Sequence, residues 1–471
     1  MEVRGKGETI TERHSVRSVT ENPCHMCMPM GGILPFKGLE KSMVLIHGSQ
    51  GCSTYMRRAI AEHFNEPIDV GSTSLNEKGT IYGGEKNLKQ GLDNLRQVYR
   101  PKLIGVLTTC LAETIGEDID RISADYLEER RLKQFPIVTV STPGYGDSNF
   151  EGYWLATTRI VAKLAQDTKQ HEKVNIIVPN ISPADIRELK RLLQLMKIKY
   201  TLLPDFSDTL DRPFTRPYTK IPAGGTRLKD IAAMPGAPAT IQFGNTVEER
   251  FSPGKYLEEQ YGVPVYNLPL PIGVDGTDRF LAVLKEISGK AVPKSIQLER
   301  GRLLDCMIDA HKYNSEGQSV IFGEPELVYA VTKTCLENGI YPRVIATGSK
   351  NSRLKELLEP ELKQVPYPVQ LLNQSDFAAI LAHSETANLA IGPSEGKFLT
   401  EKRGIPLVRI GFPINDRVGG QRILSVGYTG TATLLDRLTN TLLENKLKNY
   451  RRSMYKQYYR GERKWHAELA D

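Results

Sequence analysis

The chain has 471 residues, 40% of them apolar and 25% charged, with a net charge of +7 from 62 basic and 55 acidic side chains. That length is more than one ordinary core organises, so two to four soluble globular domains are expected. The apolar runs, such as MVLI at 43–46, have the length of strands and fall far short of a membrane span, and the opening MEVRGKGETITERHSVRSVTE has no apolar segment of the secretory kind; a cytoplasmic protein is expected.

In chain order, the first feature is ENPCHMCMPMGG at 21–32, which sets Cys24 and Cys27 in a CxxC spacing beside prolines and glycines. From residue 41 one grammar repeats: a short apolar strand, a turn, an amphipathic helix. Strands are predicted at MVLIHG, KLIGVLTT and PIVTVST in a first α/β domain, 41–172. VNIIVPN, KYTLLPD, ATIQFG and PVYNLPL follow in a second, 173–300. QSVIFGE, RVIATG, VQLLN, NLAIG and PLVRIG belong to a third, 301–471. Near-continuous apolar strands alternating with helices imply parallel sheets covered on both faces. The predicted fold is therefore α/β, with three doubly wound, Rossmann-like domains of four to five parallel strands flanked by helices, and residues 1–40 as a preceding segment. Ser182, Pro183 and an acidic first turn predict the start of one helix. The stretch 206–236, rich in Pro, Gly and Thr, predicts a long irregular excursion. The basic run ENKLKNYRRSMYKQYYRGERKWHAE, with its interleaved tyrosines, reads as a solvated terminal helix whose aromatics pack on a neighbour, since no nucleic-acid motif occurs elsewhere.

Six cysteines in a cytosolic chain do not suggest a disulfide framework. Cys306 and Cys335 fall in helical segments as small packing residues. Cys52 follows the strand MVLIHG in HGSQGCSTYMRR, and Cys110 follows IGVLTTC, so both stand where doubly wound domains bind ligands. Gly48 and Gly51 let the backbone approach closely there. Zinc, with His25 and His47 completing a site, a redox thiol pair and simple packing all remain open readings of the CxxC. Single strand-end cysteines, separated by 24 and 57 intervening residues, fit iron–sulfur ligation best.

The run CMPMGG, HGSQGC, EPIDVGSTSLNEKGTIYGGEKNLKQGL, TTCLAETIGEDI, AGGT, ERGRLLDCMIDAH, GPSEGKF and PLVRIGFPINDR, in that order, resembles the β-type subunit of the nitrogenase component 1 superfamily over about 20–450. The resemblance implies that Cys27, Cys52 and Cys110 are cofactor-binding metal ligands to an interface cluster shared with an α-type subunit. That cluster is of the [8Fe-7S] P-cluster type in a reductase, or [4Fe-4S] in an assembly scaffold. Cys24 matches nothing in that pattern. The implied assembly is an α2β2 heterotetramer served by an ATP-hydrolysing iron protein, which passes electrons to a metallocofactor on the α-type chain; no P-loop occurs here, so this chain does not itself bind the nucleotide. The implied function is the β chain of a nitrogenase-like reductase acting on dinitrogen or a small organosulfur compound, as in methylthio-alkane reductases. The alternative is the N-type scaffold subunit for nitrogenase cofactor biosynthesis, and a dark-operative pigment reductase fits the RIGFPINDR region less well.

Departures from the family pattern are specific. Where a serine can ligate the oxidised cluster, this chain has Gly144 in STPGYGDS, with Ser141 and Ser148 as nearby substitutes. GCSTYMRR also differs from the molybdenum enzymes. Close packing around the cluster is expected at Gly48, Gly51 and Gly83–Gly84. His47 reads equally as a cluster-tuning or a packing histidine. Arg57 and Arg58 read as surface ion-pair residues, Glu113, Glu117 and Asp118 as carboxylates at a helix N-terminus, and Arg409 and Arg417 as braces of the third domain; none is assigned a catalytic role.

Overall fold

The computed structural model describes residues 10–14 and 26–458. Cys24, His25 and the end of the basic tail lie outside the described residues. The N-terminal strand β1 (Ile10–His14) precedes three parallel sheets. The first contains β2 (Ser42–His47), β3 (Gly71–Ser72), β4 (Leu103–Thr108) and β5 (Ile137–Val140), in the spatial order β3-β2-β4-β5. The second contains β6 (Val174–Ile177), β7 (Tyr200–Leu203), β8 (Thr240–Phe243) and β9 (Val265–Leu268), ordered β7-β6-β8-β9. β10 (Gln318–Gly323), β11 (Tyr341–Thr347), β12 (Val369–Asn373), β13 (Leu389–Gly392) and β14 (Leu407–Arg409) form the third. β1 extends that third sheet by pairing with β12, for the order β1-β12-β11-β10-β13-β14.

All twelve strands expected from apolar runs are present. Every residue of β2 and of β4 is buried, as a parallel sheet covered on both faces requires. Two strands were not expected, and the reason is the same for both. β1 is ITERH, with three ionisable side chains in five residues, and β3 is a single Gly–Ser pair; neither carries an apolar run. The third sheet accordingly has six strands, one more than expected, the extra one coming from the N-terminal segment. The stretch 206–236 is irregular only in its first two-thirds, and ends in a helix, Leu228–Ala232, and a 3-10 turn, Met234–Gly236. Ser182 caps the helix Pro183–Leu195 as expected, its hydroxyl accepting from the Asp185 amide at 2.9 Å.

Each sheet is doubly wound, so each has a switch point where successive connections leave in opposite directions. In the first sheet it lies between β2 and β4, the strands that precede Cys52 and Cys110. The carboxyl ends of the three sheets face one another. Glu324, just after β10, accepts from the Asn180 amide after β6, at 3.2 Å, and from the Asn149 amide after β5, at 2.6 Å. Ser148 and Ser349 hydroxyls meet at 2.7 Å, across the first and third sheets.

The helix Met28–Lys37, buried from Met28 to Phe36, runs behind the first sheet. It packs against the helix Asn149–Leu164 at backbone distance, because Gly31 and Gly152 face the neighbouring main chain. A Cβ at Gly31 would overlap the Asn149 carbonyl, and one at Gly152 the Met28 carbonyl. The last helix, Gly427–Tyr458, carries the basic run. Tyr428 at its start is buried, whereas Tyr450, Tyr455 and Tyr458 in the basic run are exposed on this chain. Among the described residues no helix is long and apolar enough to cross a membrane.

Candidate metal centre

Three local structures bring the cysteines to the carboxyl edge of the first sheet. Cys27 is the cap residue of the helix Met28–Lys37, with Pro29 in its first turn, and is held by an isolated antiparallel bridge to Ser148. Cys52 lies in the first turn of the helix Gln50–Phe64, which begins just before the cysteine, and the Ser49 hydroxyl donates to its sulfur at 3.5 Å. Cys110 opens the helix Cys110–Thr114 directly after β4. Cys27 and Cys52 are half-buried and Cys110 is exposed.

Gly144, in the loop after β5, joins two of these positions. Its amide donates to the Cys110 sulfur at 3.2 Å. A Cβ there would lie 3.2 Å from that sulfur and 3.6 Å from the sulfur of Cys27. The Cys27 and Cys110 thiols therefore converge on Gly144, where a Cβ would sit tightly against the Cys110 sulfur. Tyr55 lies one turn beyond Cys52; burial raises its phenol pKa, with Cys27 and then Glu395 adding to the rise. Among the described residues no three His, Cys, Asp or Glu side chains close on one point as a single-ion site requires. Soft sulfur donors along one sheet edge are ligands of the kind that iron–sulfur clusters and zinc both take.

The surrounding polar groups are committed to holding this edge. His47 is fully buried, with Nδ1 3.1 Å from the Thr73 hydroxyl and Nε2 3.3 Å from Glu117. Burial lowers its pKa, against the opposing pull of Glu117. Both ring nitrogens being engaged, His47 brings no free donor to the cysteines. Glu117 also accepts from the Gly84 amide at 2.6 Å. Glu113 accepts from the Thr108 and Ser141 hydroxyls, each at 2.5 Å, locking β4 to the loop after β5. Ser148 caps the helix Asn149–Leu164 in a reciprocal box with Glu151. Neither Ser141 nor Ser148 is therefore a free replacement for the serine missing at Gly144.

The expected glycine roles divide. A Cβ at Gly48 would overlap the Thr109 side chain, and one at Gly84 would lie 2.8 Å from the His47 ring, so both are needed. At Gly51 a Cβ meets nothing closer than the Ser49 hydroxyl at 4.0 Å, so close packing there is not found. Arg58 pairs with Glu62 at 2.6 Å on the surface, Arg57 donates to the Ile68 carbonyl at 2.8 Å, and Asp118 caps the helix Ile119–Glu129. Cys335 is buried, and burial pushes its thiol up to about 12. Cys306, expected to be buried, is partly exposed beside Asp436, at 3.5 Å; desolvation and then that carboxylate push it up to about 11, so it too is inert. Sequence reasoning passed over Tyr55 and Glu324. The i, i+3 spacing from Cys52 was the available signal for the first; Glu324 had none, because its partners follow strands of the two other sheets.

The family model for nitrogenase component 1 type oxidoreductases matches residues 27–443. The nitrogenase molybdenum-iron protein β chain of Methanococcus maripaludis is 36% identical over 445 residues, 91% of this chain and 95% of that one. Its counterpart from Clostridium pasteurianum is 34% identical over 440 residues, 92% and 95% of the two chains. Among solved structures, nitrogenase Cp1 at pH 6.5 matches with a TM-score of 0.86 at 33% identity, over 93% of this chain and 96% of the other. A chain of nitrogenase Cp1 at pH 5 matches with a TM-score of 0.68 at 16% identity and shares the fold alone.

Proposed function

The chain belongs to the nitrogenase component 1 type oxidoreductase family as a β-type subunit, and we propose that it is the electron-relaying β chain of a nitrogenase-like reductase. The observation that carries this reading is the meeting of the Cys27 and Cys110 sulfurs at Gly144, with Cys52 at the end of the adjacent strand. All three thiol positions stand on one sheet edge, at its switch point.

In this reading Cys27, Cys52 and Cys110 hold one half of an iron–sulfur cluster, and an α-type subunit supplies the remaining ligands. When bound, such a cluster supplies one-electron storage and relay between a donor protein and a buried acceptor. This chain's part is to fix the sulfurs. The Gly144 amide and the Ser49 hydroxyl donate to the Cys110 and Cys52 sulfurs, which favours their negative charge. The helix Met28–Lys37, wedged against its neighbour through Gly31 and Gly152, holds Cys27 without slack. The electron donor is an ATP-hydrolysing iron protein. Exposed Ile81 and Tyr82, 73% and 81% accessible, offer apolar surface beside Gly83 and Gly84 for a docked protein to cover. The acceptor is a metallocofactor on the α-type subunit, where dinitrogen or a small organosulfur compound is reduced, in an α2β2 assembly.

The test is an iron and acid-labile sulfide count with EPR on the anaerobically purified complex. About eight irons per αβ pair beyond the cofactor, diamagnetic when reduced and paramagnetic on oxidation, support the relay. An S = 1/2 signal from a reduced four-iron cluster instead assigns the chain to cofactor assembly. Absence of iron in a sample never exposed to oxygen overturns the cluster reading.

A further inference from the structure

A second concave site lies in the third domain, away from the cysteines. The edge strand β14, the loop 414–423 and the last helix border an open cleft of about 460 Å³, a size typical of small-ligand sites. Arg409, Arg417 and Arg437 line it together with Asn440, Thr441 and Glu444.

The charges around this cleft are unevenly matched. Arg409 is neutralised by a two-pronged pair with Asp416, its Nη2 2.6 Å and its Nε 2.9 Å from the carboxylate. Arg417 reaches the same carboxylate at 3.7 Å, and its side chain is 63% exposed. Asp416 also accepts from the Ser394 hydroxyl, so one carboxylate is shared among three donors. Arg437 has no ion-pair partner among the described residues. Its guanidinium donates to the Arg409 carbonyl at 2.7 Å, which leaves most of its five N–H groups uncommitted. Burial, followed by the charge of Arg409, pulls its pKa below the ordinary arginine value. Glu444 lies two turns further along the same helix and forms no ion pair with it. A partly buried guanidinium without an ion-pair partner is stabilised by a counter-charge. The planar fork of arginine matches the paired oxygens of carboxylate and phosphate. Asn440, one turn from Arg437, adds an amide donor on the same face, while the Thr441 hydroxyl is spent on the Arg437 carbonyl at 2.7 Å.

We propose that this cleft is a binding site for a small multiply charged oxyanion, a phosphate or a polycarboxylate, with Arg437 as its inner anchor and Arg417 as its outer clamp. The site uses none of the cluster residues, so it stands apart from the electron-relay reading.

The test is calorimetric titration of the desalted complex, this chain with its α-type partner, with inorganic phosphate and separately with citrate. Saturable binding of either anion, one per chain, weakened about tenfold by Arg437→Gln and several-fold by Arg417→Gln, supports the site. Tighter binding of phosphate or of citrate then identifies which source of the shared chemistry the cleft takes. Arg417→Gln serves as the second variant because an exposed side chain is replaced without disturbing the fold. Absence of saturable binding by both anions, or wild-type affinity in both variants, overturns the proposal.

Discussion

The backbone amide of Gly144 points at the Cys110 sulfur from 3.2 Å, and its α-carbon faces the gap between that sulfur and Cys27. Any side chain begun there enters the space between two thiols, with its Cβ 3.2 Å from one and 3.6 Å from the other. Gly144→Ser would set a hydroxyl into that gap. An oxygen donor favours the more oxidised state of an iron–sulfur cluster, so the expected result is normal iron content with a lowered midpoint potential for oxidation. An EPR-monitored redox titration reads this directly; an unchanged midpoint would show that the hydroxyl does not reach the iron.

The cysteines themselves give a sharper division. Replacing Cys27, Cys52 or Cys110 by alanine is expected to strip most of the interface iron, since a shared cluster short of one thiolate loses its hold on the chain. Cys24→Ala is expected to leave most of the iron in place. Iron and sulfide counts on the four anaerobic complexes check this, and equal loss at Cys24 would show that the ligand assignment is wrong.

Gly152 tests whether geometry alone, with every thiol present, governs the site. In Gly152→Ala the added methyl group meets the Met28 carbonyl, and backbone cannot yield as a flexible side chain does. The helix that begins after Cys27 must move outward. A cost of about 1–3 kcal/mol is expected from overpacking of this kind, together with partial loss of iron. Gly31→Ala strains the same contact from the other side, so the two changes together should cost less than the sum of each. A melting temperature and iron content equal to wild type in Gly152→Ala would contradict the wedge.

These glycines also mark where the sequence stops being readable. Apolar runs such as SMVLIH and LIGVLT announce β2 and β4 because burial on both faces leaves no room for polar residues. Placement of Cys52 and Cys110 then follows from the strand-end rule without further information. Cys27 was legible only as a motif; its approach to Cys110 depends on Gly31, Gly152 and Gly144, whose importance lies in what would collide with a Cβ. β1 escaped because a charged edge strand has no period-two apolar face. The linkage of the three sheets through Glu324 escaped because hydrogen bonds across 144 and 175 residues leave no local trace.

That linkage carries a pH dependence of definite sign. Burial, reinforced by Glu151 and opposed by the amides of Asn180 and Asn149, pushes the Glu324 carboxyl up from 4.5 to about 7. Because the folded value exceeds the unfolded one, the contribution of Glu324 to stability is complete below about pH 4.5 and is lost as the pH rises through about 7. Glu326 and Glu395 are also raised to about 7 and act in the same direction. His63 acts oppositely. Burial pulls its pKa to about 3, so its contribution is present above about 6.5 and is lost on acidification. A wild-type stability profile mixes these groups, whereas the difference between wild type and Glu324→Gln isolates one of them. The glutamine keeps an acceptor oxygen for both asparagines and cannot ionise. Relative to wild type, Glu324→Gln is expected to gain stability from about pH 5 to about pH 8, by at most about 3 kcal/mol. Denaturant unfolding at the two pH values measures that difference, and a constant offset between the proteins would mean that Glu324 does not titrate in the fold.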